Sequence, residues 1–100
     1  MVLEVATINI KPGTQREFEE AFVDVADLLV AADGCYDVQL QRCTEVVDRY
    51  AVLIHWESVE HHNRFREKEG RISGAPSPIS AFYSEPAVGH HFELVLNTPG

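Results

Sequence analysis

Apolar residues recur along the chain with two periods, the two-residue period of a strand and the 3.6-residue period of a helix. Four segments rich in β-branched and aromatic residues follow the first pattern, and two segments follow the second. The predicted elements are a strand over 2–10, a helix between Thr14 and Gly34, strands over 35–43 and 49–56, a helix over 59–68 and a strand over 88–96. Their order is β-α-β-β-α-β.

The first helix carries the most complete set of signals. Thr14 and Glu17 match a capping box, in which the hydroxyl and the carboxylate bind free backbone amides of the first turn. Gly34 lies where a left-handed residue after the helix is expected. The apolar stripe consists of Phe18, Phe22, Val25, Ala26, Leu29 and Ala32.

The two middle strands differ in their patterns. The strand over 35–43 alternates, with one apolar and one polar face. Its apolar face is predicted to contain Tyr36, Val38 and Leu40. The strand over 49–56 is apolar on both faces between Tyr50 and Ile54, which is typical of a strand covered on both sides.

Residues typical of helix ends stand at both ends of the second predicted helix. Ser58 is a suitable N-cap, and Gly70 ends the helix. The glycine and proline residues of the segment predict an irregular structure for residues 71–78, and residues 79–83 are predicted to form one helical turn.

This element order predicts an α+β domain of the ferredoxin-like type, with a four-stranded antiparallel sheet and both helices on one face. The apolar second face of the third strand then needs another cover. The same face of a second copy is the simplest one, and the alternative is a monomer with a partly exposed apolar sheet. We therefore predict one domain over 1–96, a frayed tail over 97–100, and a homodimer that forms through the sheet face.

Charge narrows the classes of partner. The chain has 8 basic and 16 acidic residues, a formal net charge of −8. This balance argues against binding to nucleic acid or to an anionic membrane surface. The sequence has neither an apolar run of about 20 residues nor a basic N-terminal region, so we expect no membrane span and no signal peptide.

The cysteines indicate a reducing compartment. Cys35 and Cys43 lie on one predicted strand, and eight residues of strand span roughly 26 Å, too far for a disulfide. Two reduced thiols are expected of a cytoplasmic protein. Zinc-type Cys and His spacings and the motifs of common hydrolases and nucleotide enzymes are missing from the sequence, so we expect no metal and no cofactor.

Short motifs along almost the whole chain, from Val2 to about Val95, resemble one known family. They are Leu3-Glu4-Val5-Ala6, Lys11-Pro12-Gly13, Gly34-Cys35, Trp56-Glu57-Ser58 followed by His62 and Phe65-Arg66, then Phe82-Tyr83 and His91-Phe92. In these residues the chain resembles the antibiotic biosynthesis monooxygenase family of the dimeric α/β-barrel superfamily. The resemblance implies a ferredoxin-like fold and a dimeric α/β barrel.

The resemblance also implies a chemistry. Some family members oxygenate aromatic quinols or phenols of the polyketide type with molecular oxygen, without metal or flavin, and others cleave haem. The haem-cleaving members use an Asn on the first strand and a His after the second helix. This chain has Ala6 near the first position and no His between Gly70 and Pro78. We therefore expect a cofactor-independent monooxygenase. The alternatives are a non-catalytic small-molecule-binding protein and, less favoured, a haem-binding or haem-degrading one.

Two histidines are the candidate catalytic residues. Helical geometry directs His62 at the sheet, between Val59 and Phe65, where an imidazole can act as a general base. The alternative is a buried histidine that is satisfied by a backbone carbonyl. Only one of His90 and His91 can face the helices, and the resemblance favours His91, which could then pair with His62 across a pocket between the helices and the sheet.

The candidate substrate-binding residues are aromatic or cationic. They are Trp56, Phe65, Arg66, Phe82 and Tyr83. An aromatic wall can stack on an aromatic substrate and the guanidinium can pair with a phenolate. Packing in the core and a surface ion pair are the structural alternatives. His61 is predicted to face solvent and His55 to lie at the subunit interface.

Overall fold

A computed structural model describes residues 1–71 and 78–100, except for the side chains of residues 70 and 71. The chain order predicted from the apolar periods is confirmed. The elements are β1 (Val2–Asn9), α1 (Gln15–Val30), β2 (Cys35–Arg42), β3 (Arg49–Trp56), α2 (Val59–Arg66) and β4 (Val88–Phe92), with a π-helical turn over Glu67–Arg71 and a 3-10 turn over Ser80–Phe82. The helical turn expected over 79–83 is therefore present, whereas most of the segment predicted to be irregular, residues 72–77, lies outside the described residues.

The four strands form one antiparallel sheet in the order β2-β3-β1-β4, which confirms the ferredoxin-like α+β fold. The register of β1 against β3 runs from Val2 opposite Trp56 to Asn9 opposite Arg49. Every second residue of β3 is buried against the helices, as the two-residue period of a strand requires. These residues are Tyr50, Val52, Ile54 and Trp56.

The core lies between this face and the apolar stripe of α1. Phe18, Phe22 and Leu29 of the helix are buried, and the Phe18 ring packs 4.8 Å from the ring of Tyr50. Ile8, Ile10 and Ile79 complete the buried cluster. The predicted stripe therefore positions α1 on the sheet.

No helix formed by the described residues covers the other face of the sheet. Its apolar residues, which we call the open face, are Leu3, Val5, Ala51, Leu53, Val88 and Phe92. Val88 and Phe92 are 57% and 54% exposed, and Leu53 is half-buried in the middle of the sheet. The two-sided apolar pattern of β3 is thus confirmed as one core face and one uncovered face.

Both predicted caps of α1 are wrong in detail. The Thr14 hydroxyl donates to the carbonyl oxygen of Lys11 at 2.6 Å and makes no bond to the helix, so the capping box with Glu17 is not formed. The turn before the helix captures the hydroxyl, because threonine side chains also bond to nearby backbone groups. Gly34 has φ +82°, as expected, but it follows the helix end at Val30 by four residues.

Two strand predictions also change. A bulge between Cys35 and Asp37 reverses the alternation at the start of β2, so Tyr36 is 58% exposed while Val38 and Leu40 face the core. β4 ends at Phe92 and does not continue to residue 96. Phe92 pairs with Leu3, next to the beginning of β1, so the neighbouring strand offers no further partners.

Gly34 is required by a close approach as well as by its backbone angle. A methyl group built on it would overlap the ring of His61, whereas one built on Gly13, with φ +80°, would meet nothing within 4 Å. We expect Gly34→Ala to lower the free energy of unfolding by about 2–4 kcal/mol, and the control Gly13→Ala to cost only the backbone strain, about 1–2 kcal/mol. Equal costs in urea unfolding of the two variants would contradict this packing.

Candidate active site

Four side chains from four elements meet on the helix-covered face of the sheet. Glu4 of β1 and His91 of β4 are directly opposite each other in the strand register. Trp56 ends β3, and His62 projects from α2 onto the sheet. We call Glu4, Trp56, His62 and His91 the histidine cluster.

The cluster is joined by three short polar contacts. The indole Nε1–H of Trp56 donates to Glu4 Oε1 at 2.9 Å. His62 Nε2 lies 3.3 Å from the same oxygen, and His62 Nδ1 lies 2.7 Å from Nε2 of His91. The His62 ring also stacks on Trp56, with centroids 5.0 Å apart and planes at 15°. His62 is thus fixed on both ring nitrogens and on one ring face.

Burial shifts the pKa values of two residues of the cluster, Glu4 and His62. The side chains of Glu4 and His62 are only 13% and 12% exposed. Desolvation raises the pKa of Glu4, although the Trp56 hydrogen bond and the charges of His91 and Arg66 act in the opposite direction. Desolvation, with the nearby charges of His91 and Arg66, lowers the pKa of His62 to about 4. His62 is therefore neutral at pH 7.

These contacts assign the tautomer of His62. A neutral imidazole has one N–H, and an ionised carboxylate only accepts hydrogen bonds. We therefore assign the proton of His62 to Nε2, which donates to Glu4, and leave Nδ1 to accept from the Nε2–H of His91. The result is a continuous donor–acceptor chain from His91 through His62 to Glu4.

The structure brings most of the predicted site residues to this cluster. The ring of Phe65 lies 5.8 Å from that of Trp56, tilted by 45°. Arg66 is near enough for its charge to influence both Glu4 and His62. Trp56 itself is fully buried, so it belongs to the core as well as to the site.

Phe82 and Tyr83 lie elsewhere on the sheet. Tyr83 forms an isolated bridge with Ile10, and the ring of Phe82 packs edge-on 6.0 Å from that of Phe18. Ile10 and Glu4 are six residues apart on the first strand, roughly 20 Å along its axis. These two aromatic residues therefore lie at the end of the sheet away from the histidine cluster.

The prediction that His61 faces solvent is wrong. Its side chain is only 14% exposed, with Nδ1 2.7 Å from Ser58 Oγ and Nε2 2.8 Å from Glu57 Oε2. The absence of a side chain at Gly34 leaves the space that this ring occupies. The predicted N-cap role of Ser58 is confirmed, since its oxygen accepts from the His61 backbone N–H at 3.2 Å.

His55 lies on the opposite side of the sheet from the cluster. Its Nδ1 is 2.8 Å from Asp37 Oδ1, and both side chains are about half exposed. It shares that side with the open face, so it remains a candidate for a subunit interface.

Sequence reasoning missed Glu4. The residue lies in a strand of apolar residues, between Val2 and Ala6 on the face that carries the buried Ile8. A carboxylate in phase with the core face of a strand is expensive to bury without partners. That phase is the signal that could have identified it.

The depressed pKa of His62 predicts a pH-dependent stability. The unfolded chain takes up this proton near pH 6.5 and the folded chain only near pH 4, so the stabilisation is complete above pH 6.5 and is lost as the pH falls towards 4. We expect the free energy of unfolding to fall by about 3 kcal/mol as the pH falls across that window. Urea unfolding of the wild type and of His62→Gln at several pH values measures it as the difference between the two slopes.

That comparison also separates the contribution of His62 to the pH dependence of stability from the contribution of Glu4. The raised pKa of Glu4 gives a contribution of opposite sign, present at low pH and lost as the pH rises above 4.5. Glu4 is still present in His62→Gln, so subtracting the two curves largely removes its contribution. Parallel curves for the two proteins would contradict a buried neutral His62.

Within the described residues, no group of three or more His, Cys, Asp or Glu side chains is arranged to hold a metal ion. No helix in this part of the chain is long and apolar enough to cross a membrane. Cys35 and Cys43 are both free thiols.

The family model for antibiotic biosynthesis monooxygenase matches residues 1–71, which include Glu4, Trp56 and His62. The chain belongs to the antibiotic biosynthesis monooxygenase family. It is 30% identical, over 95% of its length and all of the relative's, to the uncharacterised protein YczJ of Bacillus subtilis. A solved structure from Bordetella bronchiseptica that carries the family's name is 28% identical, with a TM-score of 0.84 over 95% of this chain and 97% of the other.

Two further solved structures have the same fold. SnoaB of Streptomyces nogalater, a cofactor-independent oxygenase, is 19% identical with a TM-score of 0.81 over 99% of this chain and 97% of its own. A mutant of MhuD, solved with two manganese protoporphyrin IX molecules per active site, is 26% identical with a TM-score of 0.77 over the whole of both chains. The oxygenase and the porphyrin-bound protein thus share the fold of this chain.

Proposed function

We propose that this family member is a cofactor-independent monooxygenase that acts on a small aromatic, quinol or polyketide-like substrate with molecular oxygen. The observation that carries the proposal is the buried, neutral His62, bonded to His91 and to the Glu4 carboxylate beside Trp56. A neutral imidazole in a partly dry site is a suitable general base for a phenol or an activated CH₂ group.

The proposed reaction needs only the substrate and oxygen. The base removes a proton from an activated CH₂ group between aromatic rings, and the resulting carbanion transfers an electron to O₂. The radical pair combines into a C–O bond, and the peroxide loses water to leave a ketone. Each turnover converts CH₂ and O₂ into C=O and H₂O, so the substrate supplies all four electrons. SnoaB is a precedent for cofactor-independent oxygenation on this fold.

The MhuD structure makes haem binding the alternative to test. Both ring nitrogens of His62 are engaged within the protein, and an iron ligand would have to give up one of these bonds. Ala6 occupies the position near which the haem-cleaving members are expected to have Asn. These residues favour the oxygenase over the haem enzyme.

We further propose that the open face pairs with the same face of a second copy, as a homodimer. Leu53, Val88 and Phe92 give it an apolar surface that water would otherwise cover. An isologous pair buries the surface on both partners at once. The two free thiols are those of a reducing compartment, so we place the protein in the cytoplasm.

An oxygen electrode tests the proposed activity, with an anthrone and a hydroquinone as probe substrates. We expect oxygen uptake by the purified protein without added metal or flavin. His62→Gln should reduce the rate by about 100-fold, the usual scale of losing a group that takes part in proton transfer. The control Asn63→Gln, an exposed neighbour on α2, should retain it.

Two results would overturn this function. Retained oxygen uptake in His62→Gln would exclude His62 from the reaction. A Soret band on addition of haemin, with no uptake on either aromatic probe, would favour the haem alternative.

A further inference from the structure

We propose that Glu4, His62 and His91 form one proton relay, in which His91 receives the proton of the substrate and Glu4 and His62 are positioning residues. This inference rests on the proposed oxygenase function and changes the assignment of its base. It moves the point of contact with substrate from the helix α2 to the strand β4. It also gives a role to Glu4, which was not among the predicted site residues.

The hydrogen bonds of His62 exclude it as the group that meets the substrate. Its Nε2 is held by Glu4 at 3.3 Å and its Nδ1 by His91 at 2.7 Å. A substrate oxygen can bond to either nitrogen only by displacing a protein partner. The indole of Trp56 also covers one ring face at 5.0 Å.

His91 is the end of the chain of hydrogen bonds. Its Nε2 is bonded to His62, and among the described residues no side chain or backbone group bonds to its Nδ1. His91 lies on β4, which is an edge strand of the sheet. Glu4 lies directly opposite His91 in the strand register. The pairing of β1 with β4 therefore fixes how far apart the two ends of the relay lie.

The proton step follows from this arrangement. The substrate O–H or C–H bond breaks, and its proton forms an N–H bond with Nδ1 of His91. The proton on Nε2 of His91 passes to Nδ1 of His62, whose Nε2–H already points to the Glu4 carboxylate. The substrate is left with the electron pair, and the new positive charge lies on His62, next to the negative charge of Glu4.

The charges of the groups around the relay determine the role of Glu4. Arg66 of α2 disfavours a positive charge on His62, and so does burial. The Cys35 thiol of β2 and the Trp56 indole of β3 are the other groups at Glu4, and neither carries a negative charge that could replace it, since burial raises the pKa of the thiol. Glu4 is therefore the group that makes a transient imidazolium tolerable here.

The kinetic test is the pH profile of kcat for the wild type and for Glu4→Gln, with the anthrone probe. The variant keeps the shape of the side chain and an oxygen that can accept from Trp56, but loses the charge. We expect kcat to fall at least 10-fold with KM within about twofold, and the rising limb of the profile to move to lower pH by about one unit. His91→Gln should lose at least 100-fold in kcat.

A matched variant distinguishes the role of Glu4 in the relay from a purely structural role. Glu60→Gln removes a fully exposed carboxylate of α2 and should leave kcat and the profile unchanged. A Glu4→Gln enzyme with the wild-type kcat and profile would overturn the relay. So would a His91→Gln enzyme with the wild-type kcat.

A second measurement does not depend on turnover. In ¹⁵N-histidine NMR spectra, protonated and unprotonated ring nitrogens resonate far apart, so the tautomer is read directly. We expect His62 to be protonated at Nε2 and unprotonated at Nδ1 at pH 7.5. A proton on Nδ1 of His62 would overturn the relay even if the enzyme is active, and a protein that shows the expected tautomer without oxygen uptake would refute the proposed function alone.

Discussion

Replacing Trp56 with alanine is expected to lower the free energy of unfolding by about 3–5 kcal/mol, the usual cost of emptying a fully buried aromatic site. Trp56 has no exposed surface and supports the rings of His62 and Phe65. Its indole N–H also donates to Glu4. The variant therefore loses core packing and leaves a buried carboxylate with one donor fewer. Urea unfolding at pH 7.5 measures the cost.

Trp56→Phe separates the two contributions. The phenyl ring keeps much of the packing but has no donor for Glu4. We expect a smaller cost, about 1–3 kcal/mol, most of it from the lost charge-assisted hydrogen bond. A loss of less than 1 kcal/mol in Trp56→Ala would contradict the position of the indole in the core.

Replacing Leu53 with aspartate is expected to convert the proposed dimer into monomers. Leu53 lies in the middle of the sheet, opposite Val5, on the open face. Pairing this face with itself would bury one carboxylate from each subunit without a partner, which costs several kcal/mol. We expect the dimer dissociation constant to rise at least 100-fold, measured by sedimentation velocity over a range of concentrations.

The matched control is Leu28→Asp. Leu28 is 46% exposed on α1, on the side of the molecule that carries the helices. The same chemical change there should leave the dimer intact. Dimers that survive Leu53→Asp, or a wild type that is monomeric at all concentrations, would contradict pairing through the open face.

The sequence predicted the sheet well because strand alternation reports burial directly. The two-sided apolar pattern of β3 indicated both the core face and the open face, and both are present. The prediction from the sequence failed where one residue had two possible partners. The Thr14 hydroxyl bonds to the preceding turn and not to the helix, and the bulge at Asp37 turns Tyr36 outwards. Such choices depend on three-dimensional neighbours that spacing does not reveal.

The site shows the same division. Helical periodicity directed His62 to the helix-covered face and the family resemblance selected His91 over His90, and the two are bonded there at 2.7 Å. Substrate binding by Phe82 and Tyr83 stays a prediction, and the two residues lie at the other end of β1 from the histidines. Glu4 was passed over because a lone acidic residue in a strand is usually read as solvent-facing. Only the register, which aligns it with His91, shows that it joins the histidines.

Isotope labelling tests the central claim most directly. The purified protein, treated with a chelator and given no flavin, is supplied with an anthrone under ¹⁸O₂ in unlabelled water. The proposed chemistry predicts that the ketone carries one ¹⁸O atom per turnover and that His91→Gln forms little of it. An unlabelled ketone, or a labelled one formed at the same rate by His91→Gln, would contradict oxygenation by this site.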